Sequence, residues 1–261
     1  MRLEQTKLTA VQMKERLTLE RLNRFLARAG VGSRRACDRL IEAGEVTANG
    51  ERVDAPGTRV DPTQDRVTCG GQEVRPPDTC TYVLLNKPRG YLVSAGDPHH
   101  DRTIFELLDG VAARVFPVGR LDMDTGGALI LTDDGDLAYR LMHPRYEVDK
   151  TYRVGIASQS SGSAIRQLRD GVMIEGRRTF KAAVRVIGSG REGTEMEIVI
   201  HEGRNRQVRK MFEAVGSRVL WLERSAFGGI TVDGLARGEW RSLTDQETAG
   251  LRSLVGLESA E

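Results

Sequence analysis

The chain has 261 residues, 39% of them hydrophobic and 29% charged, with a formal net charge of +2. That is apolar material for one large core or two small ones, and too little net charge for a protein that clings to any polyanion. No apolar run reaches membrane-spanning length, the N-terminus lacks the apolar stretch of a signal peptide, and Cys37, Cys69 and Cys80 form no CxxC pair, so a soluble, cytoplasmic protein with reduced cysteines is expected.

The charge is local. Residues 20–40 carry six arginines against Glu20 and Asp38, net +4; residues 201–211 are net +3, which leaves the remainder at −5. Two basic segments read as two surfaces meeting one polyanion, although each taken singly also fits a solvated helix face. Residues 1–18 are charged and weakly periodic, and a flexible extension is expected there. Glu20 to Ala29 reads as a helix with Leu22, Phe25, Leu26 and Ala29 on one face and Arg21, Arg24 and Arg28 on the other. Gly30-Val31-Gly32 breaks it, and Ser33 caps a second helix with Arg35 and Arg39 outward and Ala36, Leu40 and Ile41 inward. Asn49-Gly50 marks a type I′ hairpin. Arg21-Leu22-Asn23, Leu26-Ala27-Arg28-Ala29-Gly30-Val31, Ser33-Arg34-Arg35, Leu40-Ile41 and Gly44-x-Val46-x-x-Asn49-Gly50 together resemble the S4 domain. The resemblance implies a small RNA-binding unit over 19–68 that grips phosphates through Arg21, Arg24, Arg28, Arg34, Arg35 and Arg39.

Residues 69–79, with Gly70-Gly71 and Pro76-Pro77, read as a linker. A second domain over 80–250 opens with a strand at Tyr82–Leu85 and the turn Asn86-Lys87-Pro88-Arg89-Gly90. The adjacent His99, His100 and Asp101 fit a metal site or a polar surface loop. Thr103 to Leu108 reads as helical. Val115 to Val118 reads as a strand running into Gly119-Arg120-Leu121-Asp122, and Ala128 to Leu131 as a strand leaving after Thr125-Gly126-Gly127. Strand, Gly-flanked turn, strand presents a polar side chain on a rigid scaffold. On pattern alone, Asp122 and Asp124 fit either chemistry or an ordinary turn. Asp134 to Leu141 is expected as a helix, Thr151 to Ile156 as a strand, Ser163 to Arg169 as a helix and Glu195 to Ile200 as a strand by its strict alternation. Arg206, Arg209 and Lys210 then share one face of a helix reaching about Ala214. Short strands at Val219–Leu222 and Ile230–Val232 follow, and the last dozen residues read as a helix fragment and a loose tail, with 251–261 outside the domain. Strands interspersed with a few helices argue for an α+β fold with a mixed or antiparallel sheet.

Gly119-Arg120-Leu121-Asp122-x-Asp124-Thr125-x-Gly127-x-x-x-Leu131-Thr132 resembles the catalytic signature of the RsuA/RluB family of ribosomal RNA pseudouridine synthases. The continuation from Asp134-Gly135-Asp136 through His143-Pro144-Arg145-Tyr146 to Lys150-Thr151-Tyr152 is similar to its large-subunit branch. The likeness spans roughly residues 19 to 245; Gly127-Ala128-Leu129-Ile130 replaces a more Leu-rich run. It implies that Asp122 is the catalytic carboxylate, that Tyr152 stacks on the target base, and that Arg209 pairs with Asp122. It further implies that Arg204, Arg206, Lys210, Arg120 and either Lys87 or Arg89 meet RNA. The reaction needs no cofactor and no metal, and a monomer acting on ribosomal RNA is expected. Two other readings fit the residues. Asp122, Asp124, Asp133, Asp134 and Asp136 could surround a divalent ion in a phosphodiesterase if the turn folds them together; or the chain is a non-catalytic S4-type ribosome-binding protein.

Overall fold

A computed structural model describes residues 19–94, 102–157, 161–190 and 193–257. The extension at 1–18 and the His99-His100-Asp101 triplet lie outside the described residues. The chain divides between Cys80 and Thr81 into two compact units.

In the first unit, β1 (Glu20–Arg21) leads into α1 (Leu22–Arg28), which buries Leu22, Phe25 and Leu26 at helical spacing. The second helix, α2 (Arg34–Glu42), is capped by Ser33, whose Oγ accepts from the Ala36 amide at 3.2 Å. β2 (Val46–Ala48) and β3 (Glu51–Val53) form a hairpin on Asn49-Gly50, where φ is 53° and 87°, as a type I′ turn requires. β4 (Arg59–Val60) pairs with β1, while β5 (Val67–Cys69) joins β2 and β6 (Gln72–Glu73) joins β5. Residues 69–73, expected to open the linker, therefore close the sheet. Their glycines turn a hairpin, and Val74 packs on the same core.

The second unit runs β7 (Tyr82–Lys87), a 3₁₀ turn (Ile104–Leu107), β8 (Phe116–Pro117), β9 (Thr125–Thr132), α3 (Gly135–Met142), β10 (Lys150–Ile156) and α4 (Gly162–Asp170). It continues with β11 (Met173–Ile174), β12 (Arg177–Arg178), β13 (Ala183–Gly190), β14 (Gly193–Ile200), α5 (Gln207–Ala214), β15 (Val219–Phe227), β16 (Ile230–Thr231), β17 (Trp240–Ser242) and α6 (Asp245–Leu254). The main sheet has the order β13-β14-β10-β15-β9-β7-β17, with β16 on β15 and β8 on β9. Every pairing in it is antiparallel except β9 with β15, which meet in parallel over Thr125↔Leu222, Gly126↔Glu223 and Gly127↔Arg224. The fold is thus α+β with a mixed sheet: two antiparallel halves joined along a short parallel seam.

β9 is buried at every position. Leu129 and Leu131 enter a core with Leu85, Val154 and Ile198, whereas Ala128 and Ile130 face a second core with Leu137, Leu141 and Leu251. Gly126-Gly127, expected in a turn, belong to this strand. The reason is close approach at the seam: a Cβ on Gly127 would stand 2.2 Å from the Arg224 carbonyl oxygen, and φ there is +103°. The helix fragment expected near the end of the chain is the close of α6, which starts at Asp245 and buries Leu251, with Val255 buried behind it. Among the described residues no helix is long and apolar enough to cross a membrane.

Candidate active site

The loop 119–124 hangs between β8 and the buried β9, so its path is set at both ends. The Val118 amide donates to the Ile130 carbonyl at 2.8 Å, and Leu121 is buried in the core. Asp122 and Asp124 remain partly exposed, with side-chain exposures of 31% and 47%.

The main chain of this loop is held carbonyl by carbonyl. Lys87, at the end of β7, is fully buried, and its Nζ donates to the carbonyls of Pro88, Asp122 and Thr125 at 3.1, 3.2 and 2.9 Å. The Thr125 amide donates to the Asp122 carbonyl, and the Gly90 amide to that of Met123. Arg209 Nη2 donates to the Asp124 carbonyl at 3.0 Å. Burial pushes the Lys87 ammonium down to about 8, against the opposing pull of Asp122 and Asp124. Lys87 therefore does not face RNA as expected; it points inward because three carbonyls at the strand end need a donor. Arg89, two residues on, is exposed.

The charge partners of the two aspartates also differ from expectation. Arg206, not Arg209, reaches Asp122, with Nη1 3.7 Å from Oδ2. The same guanidinium grips both carboxylate oxygens of Asp124 at 3.1 Å each. Arg209 lies 3.1 Å from Asp124 Oδ2. The cause is local: Arg206 is the N-cap of α5 with φ of 52°, a left-handed backbone that directs its side chain across the aspartate loop, whereas Arg209 is one turn in. Such a conformation costs about 1 kcal/mol for a non-glycine residue. Burial would raise the Asp124 carboxyl, but Arg206 and Arg209 outweigh it and hold the group below its ordinary value. Arg206 is correspondingly raised by its bond to Asp124, while burial lowers Arg209.

The segment before α5 is braced by Glu202. Its carboxylate accepts from Gln207 Nε2 at 2.6 Å, Arg204 Nε at 3.0 Å and the Phe180 amide at 2.9 Å. Arg204 also donates to the carbonyls of Arg177 and Arg178. Expected on RNA phosphate, Arg204 instead ties this segment to β12, because a buried carboxylate and two strand-end carbonyls claim its donors. Lys210 bonds Glu175 and Asn205.

Opposite the aspartates lies a cleft of about 860 Å³, lined among others by Asp122, Arg120, Arg206, Tyr152, Lys150 and Arg224. Tyr152 is 8% exposed on β10, beside Arg224 of β15 in register. Arg120 is exposed at the same cleft. Lys150 and Arg224 were not singled out in the sequence. Their signal is parity: Lys150 alternates with Tyr152 and Val154, and Arg224 with Leu222, which puts both cations on an inward face. The five aspartates of the metal reading sit at opposite ends of β9, about 25 Å apart for an eight-residue strand. Those at the far end are engaged elsewhere: Asp133 accepts from the Thr81 amide, and Asp134 caps α3 and binds Arg252.

In the first unit Arg21, Arg34, Arg35 and Arg39 are exposed. Arg24 and Arg28, expected beside them, are half-buried against Glu20 at 3.3 and 2.8 Å, so one acidic side chain already meets both.

Residues 81–214 match the RNA pseudouridylate synthase family and residues 20–67 match the S4 domain. The chain is 38% identical to a protein named ribosomal large subunit pseudouridine synthase B from Bacillus subtilis (strain 168), over 91% of this chain and 97% of that protein. It is 37% identical to a protein named ribosomal small subunit pseudouridine synthase A from Escherichia coli (strain K12), over 88% and 99%. A solved pseudouridylate synthase structure superposes with a TM-score of 0.64 at 29% identity, over 88% of this chain and 99% of that one.

Proposed function

Because the chain belongs to the RNA pseudouridylate synthase family, we propose that it isomerises one uridine of large-subunit ribosomal RNA, with Asp122 as the catalytic carboxylate. The observation that carries this reading is the presentation of Asp122: a partly exposed carboxylate on a loop whose carbonyls are held by Lys87 and Arg209, facing a cleft that also holds Tyr152. Pre-set geometry of this kind lowers a barrier without reorganisation at the moment of reaction.

The target uridine leaves its stack, at a cost of about a few kcal/mol, and enters the cleft. There its base lies on the Tyr152 ring, an interaction worth about 1–3 kcal/mol. Asp122 then acts at the ribose. Attack on C1′ and removal of the C2′ proton are the two routes a carboxylate offers, and both break the C1′–N1 bond with its electron pair leaving on the base. The base turns and C5 bonds to C1′, as the aspartate ester leaves on the first route or as C2′ regains its proton on the second; the C5 proton then departs and N1 takes one up. Arg21, Arg34, Arg35 and Arg39 on the S4 unit, with Arg89 and Arg120 on the second unit, supply the phosphate contacts that position the RNA. The resemblance of the segment around Asp134 to Tyr152 favours the large-subunit RNA.

The test is tritium release from ribosomal RNA labelled at uridine C5, in EDTA, for wild type and Asp122→Asn. Release from large-subunit RNA that vanishes in the variant, while RNA binding persists, is expected. Release from small-subunit RNA alone would move the target and keep the chemistry. Binding without release from either RNA would leave a docking protein.

A further inference from the structure

The cleft floor carries two cations, Arg224 and Lys150, that form no salt bridge among the described residues. Arg224 is 2% exposed and lines the cleft. Its Nε donates to the Ala128 carbonyl at 2.7 Å, where β9 and β15 part beyond their seam. Its guanidinium lies over the Phe227 ring at 4.8 Å. The Nη2 atom is buried and has no hydrogen-bond partner among the described residues. Lys150 is 8% exposed on the same cleft, with Nζ donating to the carbonyls of Val148 and His201 at 3.0 Å each and 5.3 Å from the Phe227 ring. Burial and the adjacent Arg224 push its ammonium down to about 8, partly offset by the exposed Asp149.

Covering the Ala128 carbonyl needs Nε alone. A purely structural Arg224 leaves a charged N–H donor in the wall of a cleft without an acceptor, and folded proteins avoid that. Tyr152 and Arg224 are direct cross-strand neighbours, so a base lying on the Tyr152 ring turns an edge toward the guanidinium.

We propose that Arg224 is a catalytic residue whose guanidinium donates to a carbonyl oxygen of the detached uracil, with Lys150 adding positive charge behind it. The inference rests on the isomerase reading. When the C1′–N1 bond breaks, its electron pair leaves on the base, and the resulting anion spreads its charge onto O2 and O4. Rejoining spends that pair on the C5–C1′ bond, after which C5 loses a proton and N1 gains one. Between the two events the base is a free anion in a closed site, and fixed donors aimed at where charge develops are worth most there.

The experiment varies the leaving group. Fluorine at C5 acidifies uracil, so a 5-fluorouracil anion needs less help to depart. Single-turnover loss of the intact nucleotide is measured for RNA carrying uridine or 5-fluorouridine, with wild type, Arg224→Gln and Arg224→Lys, alongside the melting of each protein. The glutamine variant should lose about 100-fold with uridine and less than about 10-fold with 5-fluorouridine, while the lysine variant, which keeps the charge but not the forked donors, loses less than the glutamine variant and again mainly on uridine. Equal losses on both nucleotides, or none on either, overturn the assignment. Should the glutamine variant fail to fold, the lysine variant decides: a large loss equal on both substrates overturns it, and a smaller loss concentrated on uridine supports it. A wild type that turns over neither nucleotide removes the isomerase reading and this inference with it.

Discussion

Four arginines of the first unit and three of the second carry the same side chain into opposite situations. In the second unit Arg204, Arg206 and Arg209 are bound to carboxylates and carbonyls of their own chain, and Lys87 is buried among carbonyls. In the first unit Arg21, Arg34, Arg35 and Arg39 stand in solvent. A cation already satisfied fixes the shape of its surroundings; an exposed one keeps its donors for a partner and releases counterions when it finds one. Counting basic residues along the sequence does not separate these roles. Counting the acceptors around each one does.

The sharpest way to break this division is Lys87→Met. With the loop carbonyls losing their shared donor, single-turnover isomerisation should fall about 100-fold, as expected for a misplaced catalytic group, while RNA affinity changes little. A loss of affinity at unchanged rate would return Lys87 to the RNA-facing set. The complementary change, Arg34, Arg35 and Arg39 together to Ala, should weaken RNA binding about tenfold or more at physiological salt and flatten its salt dependence. The rate at saturating enzyme should stay put; binding titrations at several salt concentrations check it, and an unaltered salt slope would deny the first unit its role.

The smallest effect is a pH signature of the buried amine. Lys87 titrates at about 8 in the folded chain, below its ordinary value near 10.5. Between those values the unfolded chain keeps a proton that the folded chain has released, so this group makes stability rise with pH there and contributes nothing to the slope well below 8. Unfolding at pH 8 and pH 9 should show wild type gaining about 1 kcal/mol more than Lys87→Met. Parallel curves would mean that the amine is solvated.

Much of this architecture could be read in advance where local rules decide. Ser33 caps its helix, Asn49-Gly50 turns its hairpin, and the alternation of Met196, Ile198 and Ile200 marks β14. The position of Asp122 between two strands was equally legible. What escaped depends on partners far along the chain. β15 runs on through Glu223 and Arg224, charges that look like the end of a strand until the seam and the Ala128 carbonyl are seen. Gly126-Gly127 read as a turn because glycine signals both a bend and a close approach, and only the neighbour at 2.2 Å distinguishes them. The exchange of Arg206 for Arg209 at Asp122 hinges on one left-handed residue, which no pattern of charge announces.

The seam between β9 and β15 also sets an order in time. Its partners lie nearly a hundred residues apart. A ribosome making this chain therefore delivers the basic helices, Asp122 and Tyr152 well before the strand that brings Arg224 to the cleft floor. Units fold as they emerge, and pairings between distant segments come late. Biosynthesis thus completes the first unit early and the floor of the cleft last.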